Sequence, residues 1–321
     1  MSHPLVSVIT PAYNAEPYIA ETIQSVLDQS YAHWEMLIVD DGSTDNTVGV
    51  VTQFDDSRIK LIQIEHSGLP AVGRNQALQA ASGSYVAFLD ADDVWRSDKL
   101  AKQIQYLESN PDVALCFTNA WIVFKNNEIV ILYEKLPDQG VMFRLLYQKN
   151  FIIHSSVVVR ESVLDRHGGF DVDPRLRGTE DYELWLRLSM FYKFGGIEEP
   201  LLWYRVRSGS VSGDKLTMSR GLVVVLEKVY AKDPKLVAEL GNDWQKHLVH
   251  VMLNYAGVLF QEGCLRAGLR WVGTVCLRYP HLCVRDVSIM TRIIQLLFGP
   301  RGYELVRSVK RRLCRVLPMP S

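Results

Sequence analysis

The chain has 321 residues, 48% of them hydrophobic, so it can bury a sizeable core and does not have the composition of a disordered protein. Its 35 Lys and Arg residues nearly balance its 36 Asp and Glu residues, and the formal net charge of -1 excludes a strong overall attraction to nucleic acid. Five cysteines without CxxC spacing argue against a zinc site and favour reduced thiols. The N-terminus has no secretory-signal pattern and no window is apolar enough to span a bilayer, so we expect a cytoplasmic protein.

The first hundred residues alternate between strand and helix patterns. Apolar runs rich in β-branched residues predict four strands, and polar turns and segments with apolar residues at helical spacing connect them. The strand patterns are LVSVIT, WEMLIVD, IKLIQIEH and YVAFLD, which begin at residues 5, 34, 59 and 85. This alternation predicts an α/β fold with a mostly parallel sheet and helices on both faces.

The alternation weakens in the second half of the chain. Residues 151–171 predict another strand and a helix ended by a glycine pair, and residues 177–192 predict a helix with acidic residues in its first turn. From about Lys215 onward the pattern is entirely helical. We therefore expect a first domain over residues 1–214 and a helical accessory region over residues 215–321.

Three polar loops, PAYN, DDGSTD and DADD, directly follow predicted strands. Because parallel strands present their carboxyl ends at one edge of a sheet, these loops are expected to converge there. DADD contributes Asp90, Asp92 and Asp93 within four residues. The three carboxylates repel one another, and no Lys or Arg precedes Arg96 in that stretch, so a divalent cation is the economical countercharge.

Carboxylate oxygens of this kind suit Mg²⁺ or Mn²⁺. A competing interpretation is that an aspartate caps the helix pattern VWRSDKLAKQIQYL, and Asp93 is its natural candidate.

A resemblance to a known family comes from several motifs together. VSVITPAYNAEPYIAETIQSVLDQSY, LIVDDGSTDNT, GRNQALQAASGSYVAFLDADD and GTEDYELWLRL occur in this order between residues 5 and 212, about two thirds of the chain. Together they resemble family 2 glycosyltransferases. The resemblance implies the nucleotide-sugar-binding GT-A fold, a Rossmann-like sheet, with residues 1–214 as the catalytic domain.

The resemblance also implies the roles of the residues that bind the nucleotide sugar. Pro11 and Tyr13 line the pocket for the base, and Asp40 contacts the base or ribose. Arg74 lies near the diphosphate. Asp90 and Asp92 form the DxD pair, with Asp92 on the metal and Asp90 on the nucleotide sugar.

The local alternatives stay open at this point. Tyr13 could be a packing aromatic, and Asp40 could make an Asx turn. For Asp45 we expect a helix cap rather than a ligand. Arg74 could instead start a helix and pair with a surface carboxylate.

A second acidic site is implied by TEDYELW. Glu180 and Asp181 match the family's ED pair, in which the aspartate is the base of a single inverting displacement, and Glu180 has a supporting or acceptor-binding role. The alternative is that both favour the helix dipole and pair with Arg177 or Arg187.

One departure from the family lies in WYRVRSGSVSG, where Arg207 stands at the position of a histidine that many relatives use to hold metal or diphosphate. A charged arginine cannot ligate a cation, but it can pair with phosphate, so metal dependence is expected to be weaker or the coordination completed by water. His154 and His167 lie outside that motif, and we expect them to be structural or surface residues.

The resemblance favours an inverting glycosyltransferase for bacterial surface polysaccharide such as O-antigen, capsule or exopolysaccharide. It implies a nucleotide-sugar donor, with a UDP-sugar favoured, and a saccharide or lipid-linked saccharide acceptor. A non-catalytic nucleotide-sugar-binding scaffold and a sugar nucleotidyltransferase are the competing classes. The scaffold would have lost the acidic motifs, and the nucleotidyltransferase commonly has a Gly-rich, basic loop where this chain has PAYNAEPY.

The last segment, GPRGYELVRSVKRRLCRVLP, combines six Arg and Lys residues with apolar ones. That composition is typical of a helix on an anionic membrane surface, and a solvated or partner-binding basic helix is the alternative.

Overall fold

The computed structural model describes residues 3–299 except 125–128, 138, 141, 208–209 and 242. The predicted basic tail over 301–316 lies outside the described residues. The chain forms two compact units, Met1–Gly213 and Asp214–Ser321.

The first unit is built on a sheet for which the described residues supply nine strands. These are β1 (Val6–Ala12), β2 (Trp34–Asp40), β3 (Ile59–Gln63), β4 (Tyr85–Phe88), β5 (Val94–Trp95), β6 (Val113–Val123), β7 (Ile129–Ile131), β8 (Val158–Arg160) and β9 (Lys193–Arg205). The strand order is β3-β2-β1-β4-β8-β6-β9-β5, and β7 pairs with β6.

The four predicted strands form a parallel block, β3-β2-β1-β4. The predicted strand in residues 151–171 is β8, and it joins this block antiparallel to β4. Beyond β8, β6 pairs antiparallel to β8, β9 pairs parallel to β6, and β5 pairs antiparallel to β9. The sheet is therefore mixed beyond β4.

Helices cover the first unit's sheet. They are α1 (Ile19–Leu27), α2 (Thr47–Val51), α3 (Pro70–Ala80), α4 (Lys99–Ser109), α5 (Phe143–Gln148), α6 (Glu161–His167) and α7 (Glu180–Ser189). The predicted glycine pair ends α6, and Gly168 has a φ of 82°, which favours glycine.

Alternate residues of β1 and β2 face opposite sides of the sheet, and each side packs a helix. Val8 and Ile38 share a core cluster with Ile23 of α1. On the other side Gly73 of α3 lies so close that a Cβ there would be 3.5 Å from Pro11 and 3.6 Å from Val39. Helices therefore cover both faces, as the alternation predicts.

The register of the parallel strands brings the polar loops to one edge. Ala12 pairs with Asp40 at the ends of β1 and β2, and the backbone N–H of Leu89 donates to Ile9 O at 3.0 Å. The segments that follow these strands, including Tyr13 and Asp90, therefore leave the sheet side by side.

The described part of the second unit is helical, as the sequence predicts. Its helices are α8 (Lys215–Lys232), α9 (Pro234–Ala238), α10 (Asp243–Gln261), α11 (Leu265–Arg278), α12 (Pro280–Arg285) and a further helix at 287–299. Within the described ranges we find no helix that combines the length and apolarity needed to cross a bilayer. The four cysteines that the structure describes are free thiols, and Cys314 lies beyond them.

Gly83 provides a test of the packing before β4. A Cβ at this position would lie 2.6 Å from the backbone N of Ser7 and 2.7 Å from the carbonyl O of Leu5. Because backbone cannot move aside cheaply, we expect Gly83→Ala to destabilise the protein by about 1–3 kcal/mol in denaturant unfolding. Gly140→Ala is the matched control, since a Cβ there meets nothing within 4 Å. Equal stability of the two variants would contradict this packing.

Candidate active site

The PAYN and DDGSTD loops are joined by hydrogen bonds. The backbone N–H of Asn14 donates to Ser43 Oγ at 2.9 Å, and the Asn14 side-chain oxygen accepts from Thr44 N at 2.8 Å. Asn14 has a φ of 48°, in the left-handed region that asparagine tolerates best after glycine. These hydrogen bonds hold the two loops together at the carboxyl-terminal edge of the sheet.

Asp45 connects the two loops. Its Oδ1 accepts from the backbone N–H of Thr47, the first residue of α2, at 3.0 Å, and its Oδ2 accepts from Glu16 N at 3.1 Å. The N-cap residue of α2 is Asn46, which makes no side-chain cap hydrogen bond, so Asp45 binds the start of the helix from one position before the cap.

Asp40 lies at the strand end with one carboxylate oxygen bonded and the other open. It is the last residue of β2 and is 3% exposed. Its Oδ2 accepts from the backbone N–H of Ser43, three residues on, at 3.1 Å, while its Oδ1 has no hydrogen-bond partner among the described atoms. A buried carboxylate oxygen without a hydrogen-bond partner costs free energy unless a ligand binds it. The Oδ1 of Asp40 is therefore available to accept a hydrogen bond from a ligand.

Tyr13 is not a core aromatic, because 45% of its surface is exposed. Its ring stacks on His66 with ring centroids 4.3 Å apart and planes at 24°. His66 is held in turn by Asp41, whose carboxylate also accepts from Ser67 N at 2.7 Å and Gly68 N at 3.0 Å. His66 and Asp41 are not among the site residues predicted from the sequence. The sequence signal that points to Asp41 is that it directly follows Asp40 at the end of β2.

The carboxylates of the DADD loop have arginine partners that come from distant parts of the chain. Arg74 donates to Asp90 Oδ1 at 2.9 Å, and Arg207 pairs through Nε with Asp92 Oδ2. The countercharge missing from the local sequence is thus supplied in part by side chains 16 and 115 positions away. Repulsion among the three aspartates alone therefore does not require a metal.

Asp93 is not a helix cap, so that interpretation is wrong. Residues Val94–Trp95 form β5, which pairs with β9, and α4 begins only at Lys99. Asp93 is buried, accepts from the backbone N–H of Arg205 at 3.1 Å, and has no partner at Oδ2 among the described atoms. Pairing of β5 with β9 moves the N-cap from the expected Asp93 to Asp98.

The three carboxylates do not titrate alike. Burial and the charge of Asp90 raise the pKa of Asp92, against the opposing effect of Arg207. Burial, Asp92 and Asp90 raise the pKa of Asp93 well above its usual range. For Asp90, burial favours a higher pKa, but neighbouring His154 and Arg74 outweigh it, and the pKa is lowered.

Arg74 joins the DADD loop to the ED pair. Its side chain is 7% exposed, and its second terminal nitrogen donates to Glu180 Oε1 at 2.7 Å. In the alternative interpretation Glu180 pairs with Arg177 or Arg187, but its ion pair in the structure is with Arg74, and Arg187 binds Glu183 at 2.9 Å. Arg74 lies inside α3 and does not pair with a surface carboxylate.

Asp181 is the second residue of α7 and keeps part of its surface accessible. Burial and the neighbouring charge of Glu180 raise its pKa to about 7, while Arg74 opposes the rise. A carboxylate with a pKa near 7 is a more effective proton acceptor than an ordinary aspartate.

The two histidines that the sequence places outside the motifs are packed against aromatic rings. His154 is buried between Phe88 and Trp185, 3.9 Å from Asp90 Oδ1, and burial with nearby Arg74 lowers its pKa to about 3. His167 stacks on Phe191 and bonds Tyr192 Oη at 3.0 Å.

The chain resembles solved glycosyltransferases in fold. TarS of S. aureus, residues 1–349 in complex with UDP-GlcNAc, superposes with a TM-score of 0.66 and 18% identity over 96% of this chain and 91% of that one. The mannosyltransferase PcManGT of Pyrobaculum calidifontis, with GDP-Man and Mn²⁺, superposes with a TM-score of 0.57 and 21% identity over 94% and 89%. The first unit, with its mixed sheet and acidic edge, therefore has the GT-A fold.

Sequence comparison gives the family. The model for glycosyl transferase family 2 matches residues 7–168. TuaG of Bacillus subtilis, named for teichuronic acid biosynthesis, is 39% identical over 216 residues, 66% of this chain and 83% of TuaG. WfgD of Escherichia coli, named as a UDP-Glc:α-D-GlcNAc-diphosphoundecaprenol β-1,3-glucosyltransferase, is 38% identical over 213 residues, 66% of this chain and 81% of WfgD. The chain belongs to glycosyl transferase family 2, and is an enzyme rather than a scaffold or a nucleotidyltransferase.

The charge bridge at Arg74 can be tested by stability. Arg74→Met leaves the buried Glu180 and the partly buried Asp90 without their shared cation, so we expect a loss of about 3–5 kcal/mol in the free energy of unfolding. Lys193→Met is the control, because its pair with Asp112 is about half exposed and contributes at most about 1 kcal/mol. A loss for Arg74→Met no larger than that of the control would contradict the bridge.

Proposed function

We propose that the chain is an inverting glycosyltransferase that moves a sugar from a nucleoside-diphosphate sugar to a hydroxyl of a saccharide or lipid-linked saccharide. The observation that carries the proposal is the Arg74 bridge, because it brings the DxD carboxylate Asp90 and the ED carboxylate Glu180 to one site. We propose a cytoplasmic role in assembling a surface polysaccharide such as O-antigen, capsule or exopolysaccharide. The names of TuaG and WfgD support that role by analogy.

A UDP-sugar is the favoured donor. WfgD is named for UDP-Glc, and TarS was solved with UDP-GlcNAc, although PcManGT was solved with GDP-Man. In this proposal the base lies against Pro11 and the exposed ring of Tyr13, and it or the ribose satisfies the open Oδ1 of Asp40. Asp90 is held by Arg74 for contact with the nucleotide sugar.

We propose Mg²⁺ or Mn²⁺ as the cofactor, with Asp92 as its protein ligand. Within the part of the chain that the structure describes, no group of three or more His, Cys, Asp or Glu side chains is arranged to hold a metal. The donor set still fits, because these cations commonly bind one or two carboxylates together with substrate phosphates and water. Asp92 is a hard oxygen donor whose carboxylate lies in the DADD loop and remains 15% exposed. When bound, the cation would neutralise charge on the diphosphate as it leaves.

Asp181 is proposed as the base. The acceptor oxygen attacks the anomeric carbon, its proton passes to the Asp181 carboxylate, and the bond to the diphosphate oxygen breaks, so one displacement inverts the configuration. Glu180, fixed by Arg74, supports Asp181 by adding to the effect of burial on its pKa, and it is proposed to support the base or to bind the acceptor. Because Asp90 and Glu180 both bind Arg74, the DADD loop and the first turn of α7 are held at a fixed distance from each other.

Replacing the base tests the mechanism. We expect Asp181→Asn to bind the donor normally in calorimetry but to lower kcat by about 10²–10⁴-fold. In the unchanged enzyme, the pKa of about 7 predicts that kcat falls as the pH drops below 7, since Asp181 must be ionised to accept a proton. Asp112→Asn, at an exposed pair, is the control. Near-normal turnover by Asp181→Asn would remove the assignment.

Arg207 and the cation compete for Asp92 in this proposal. Arg207→Gln frees the carboxylate, so Mn²⁺ alone should bind about 3–10-fold more tightly, as judged by electron paramagnetic resonance. In the presence of Mn²⁺, UDP should bind more weakly to Arg207→Gln than to the unchanged protein, because the guanidinium that would pair with its phosphates is lost. Lys193→Gln should change neither affinity. Weaker binding of Mn²⁺ alone to Arg207→Gln would contradict the competition.

A further inference from the structure

Helix α11 in the second unit has one buried side. Gly268, Val272 and Val275 are buried, and a Cβ at Gly268 would lie 2.7 Å from the ring of Phe260 in α10. Close packing against α10 therefore fixes which side of α11 points inward and leaves the rest of its surface outside.

The outward side of α11 is unusually apolar. Leu265 is 60% exposed, Leu269 is 51% exposed and Leu277 is 85% exposed. Leu269, Gly273 and Leu277 are spaced four residues apart and so lie along one stripe of the helix. A single exposed leucine is ordinary, but a row of them on one helix marks an interaction surface.

Arginines accompany this stripe. Arg266 and Arg270 are also four residues apart, both are exposed, and neither has an ion-pair partner within the described part of the chain. At the end of the helix, Arg278 differs, because it pairs with Glu227 at 2.7 Å. The leucines thus stand beside guanidinium groups that are free to bind anions.

The surrounding sequence has the same bias. Residues 264–299 contain five arginines and a single acidic residue, Asp286, which is engaged by Ser288 and lies 3.4 Å from Lys246. Large apolar residues remain exposed after α11, since Val284 is 79% exposed and Phe298 is 61% exposed. No acidic side chain of this region is available to oppose an anionic partner.

We propose that the outward side of α11, with Arg266, Leu269, Arg270 and Leu277, docks on an anionic lipid bilayer. The leucines enter the boundary between headgroups and acyl chains, and the two arginines bind lipid phosphates. Residues 300–321 are a poor occupant, because they have six basic residues and only one acidic residue, and this excess of positive charge repels the same arginines. A second copy of the chain would oppose arginine to arginine in the same way. A bilayer supplies both an apolar layer and negative charge.

This inference goes beyond the transferase reaction and does not depend on it. It concerns where the enzyme works rather than what it transfers, and its test requires no donor or acceptor.

The test is flotation of the full-length protein with vesicles of phosphatidylcholine alone or mixed with phosphatidylglycerol. We expect recovery with the anionic vesicles only, reduced by added salt. The double variants Leu269→Ser/Leu277→Ser and Arg266→Gln/Arg270→Gln should each lower partitioning about tenfold or more. Because these side chains are exposed, the melting temperature should not change.

Matched controls come from exposed residues of the first unit. Val172→Ser removes an apolar side chain that is 48% exposed, and Lys60→Gln/Lys193→Gln removes two exposed cations. Both should float like the unchanged protein.

Three outcomes would overturn the proposal. The first is that the unchanged protein does not float. The second is that both α11 variants float undiminished while Arg311→Gln/Arg312→Gln abolishes flotation. The third is that the leucine variant changes only the oligomeric mass measured by light scattering. The first outcome would leave the transferase assignment untouched, because donor binding and turnover are measured without vesicles.

Discussion

The buried guanidinium of Arg74 is the interaction on which the candidate site depends. It is contributed by α3, and it binds one carboxylate from the loop after β4 and another from the first turn of α7. Glu180 is buried with Arg74 and Asp90 is partly buried, so loss of any one of the three would leave a charge in the protein interior without its partner. The bridge therefore couples the position of the DADD loop to that of α7, the helix that carries Asp181.

The same charges that hold the site together also set its chemistry. Burial and the charge of Glu180 raise the pKa of Asp181 and Arg74 opposes the rise, so the pKa of about 7 is a balance between burial and two neighbouring charges. Asp92 and Asp93 have raised pKa values as well, whereas the direct contact with Arg74 helps to lower that of Asp90. A row of similar residues thus acquires different properties from position alone.

Much of the first unit could be predicted because its information is local. The four parallel strands, α1, α3 and the glycine end of α6 follow from apolar periodicity and from turn residues. The direction of β8 could not be predicted, since a buried strand has the same apolar pattern in parallel and antiparallel pairing. The role of Asp93 was misread because Val94 and Trp95 pair with β9, a contact about a hundred residues away. The partners of Arg74 and Arg207 were missed for the same reason: an ion pair depends on the final positions of both side chains.

The DADD loop is fastened at several points along its backbone. The Asp90 N–H donates to Ser155 Oγ at 3.0 Å, and the hydroxyl of Thr22 lies 3.0 Å from Ala91 O and 2.8 Å from Asp93 O. The next two residues are strand β5, and the Trp95 indole donates to Ser155 O at 2.8 Å. The conformational entropy of this loop is therefore lost during folding, and a donor that meets the loop does not have to order it again.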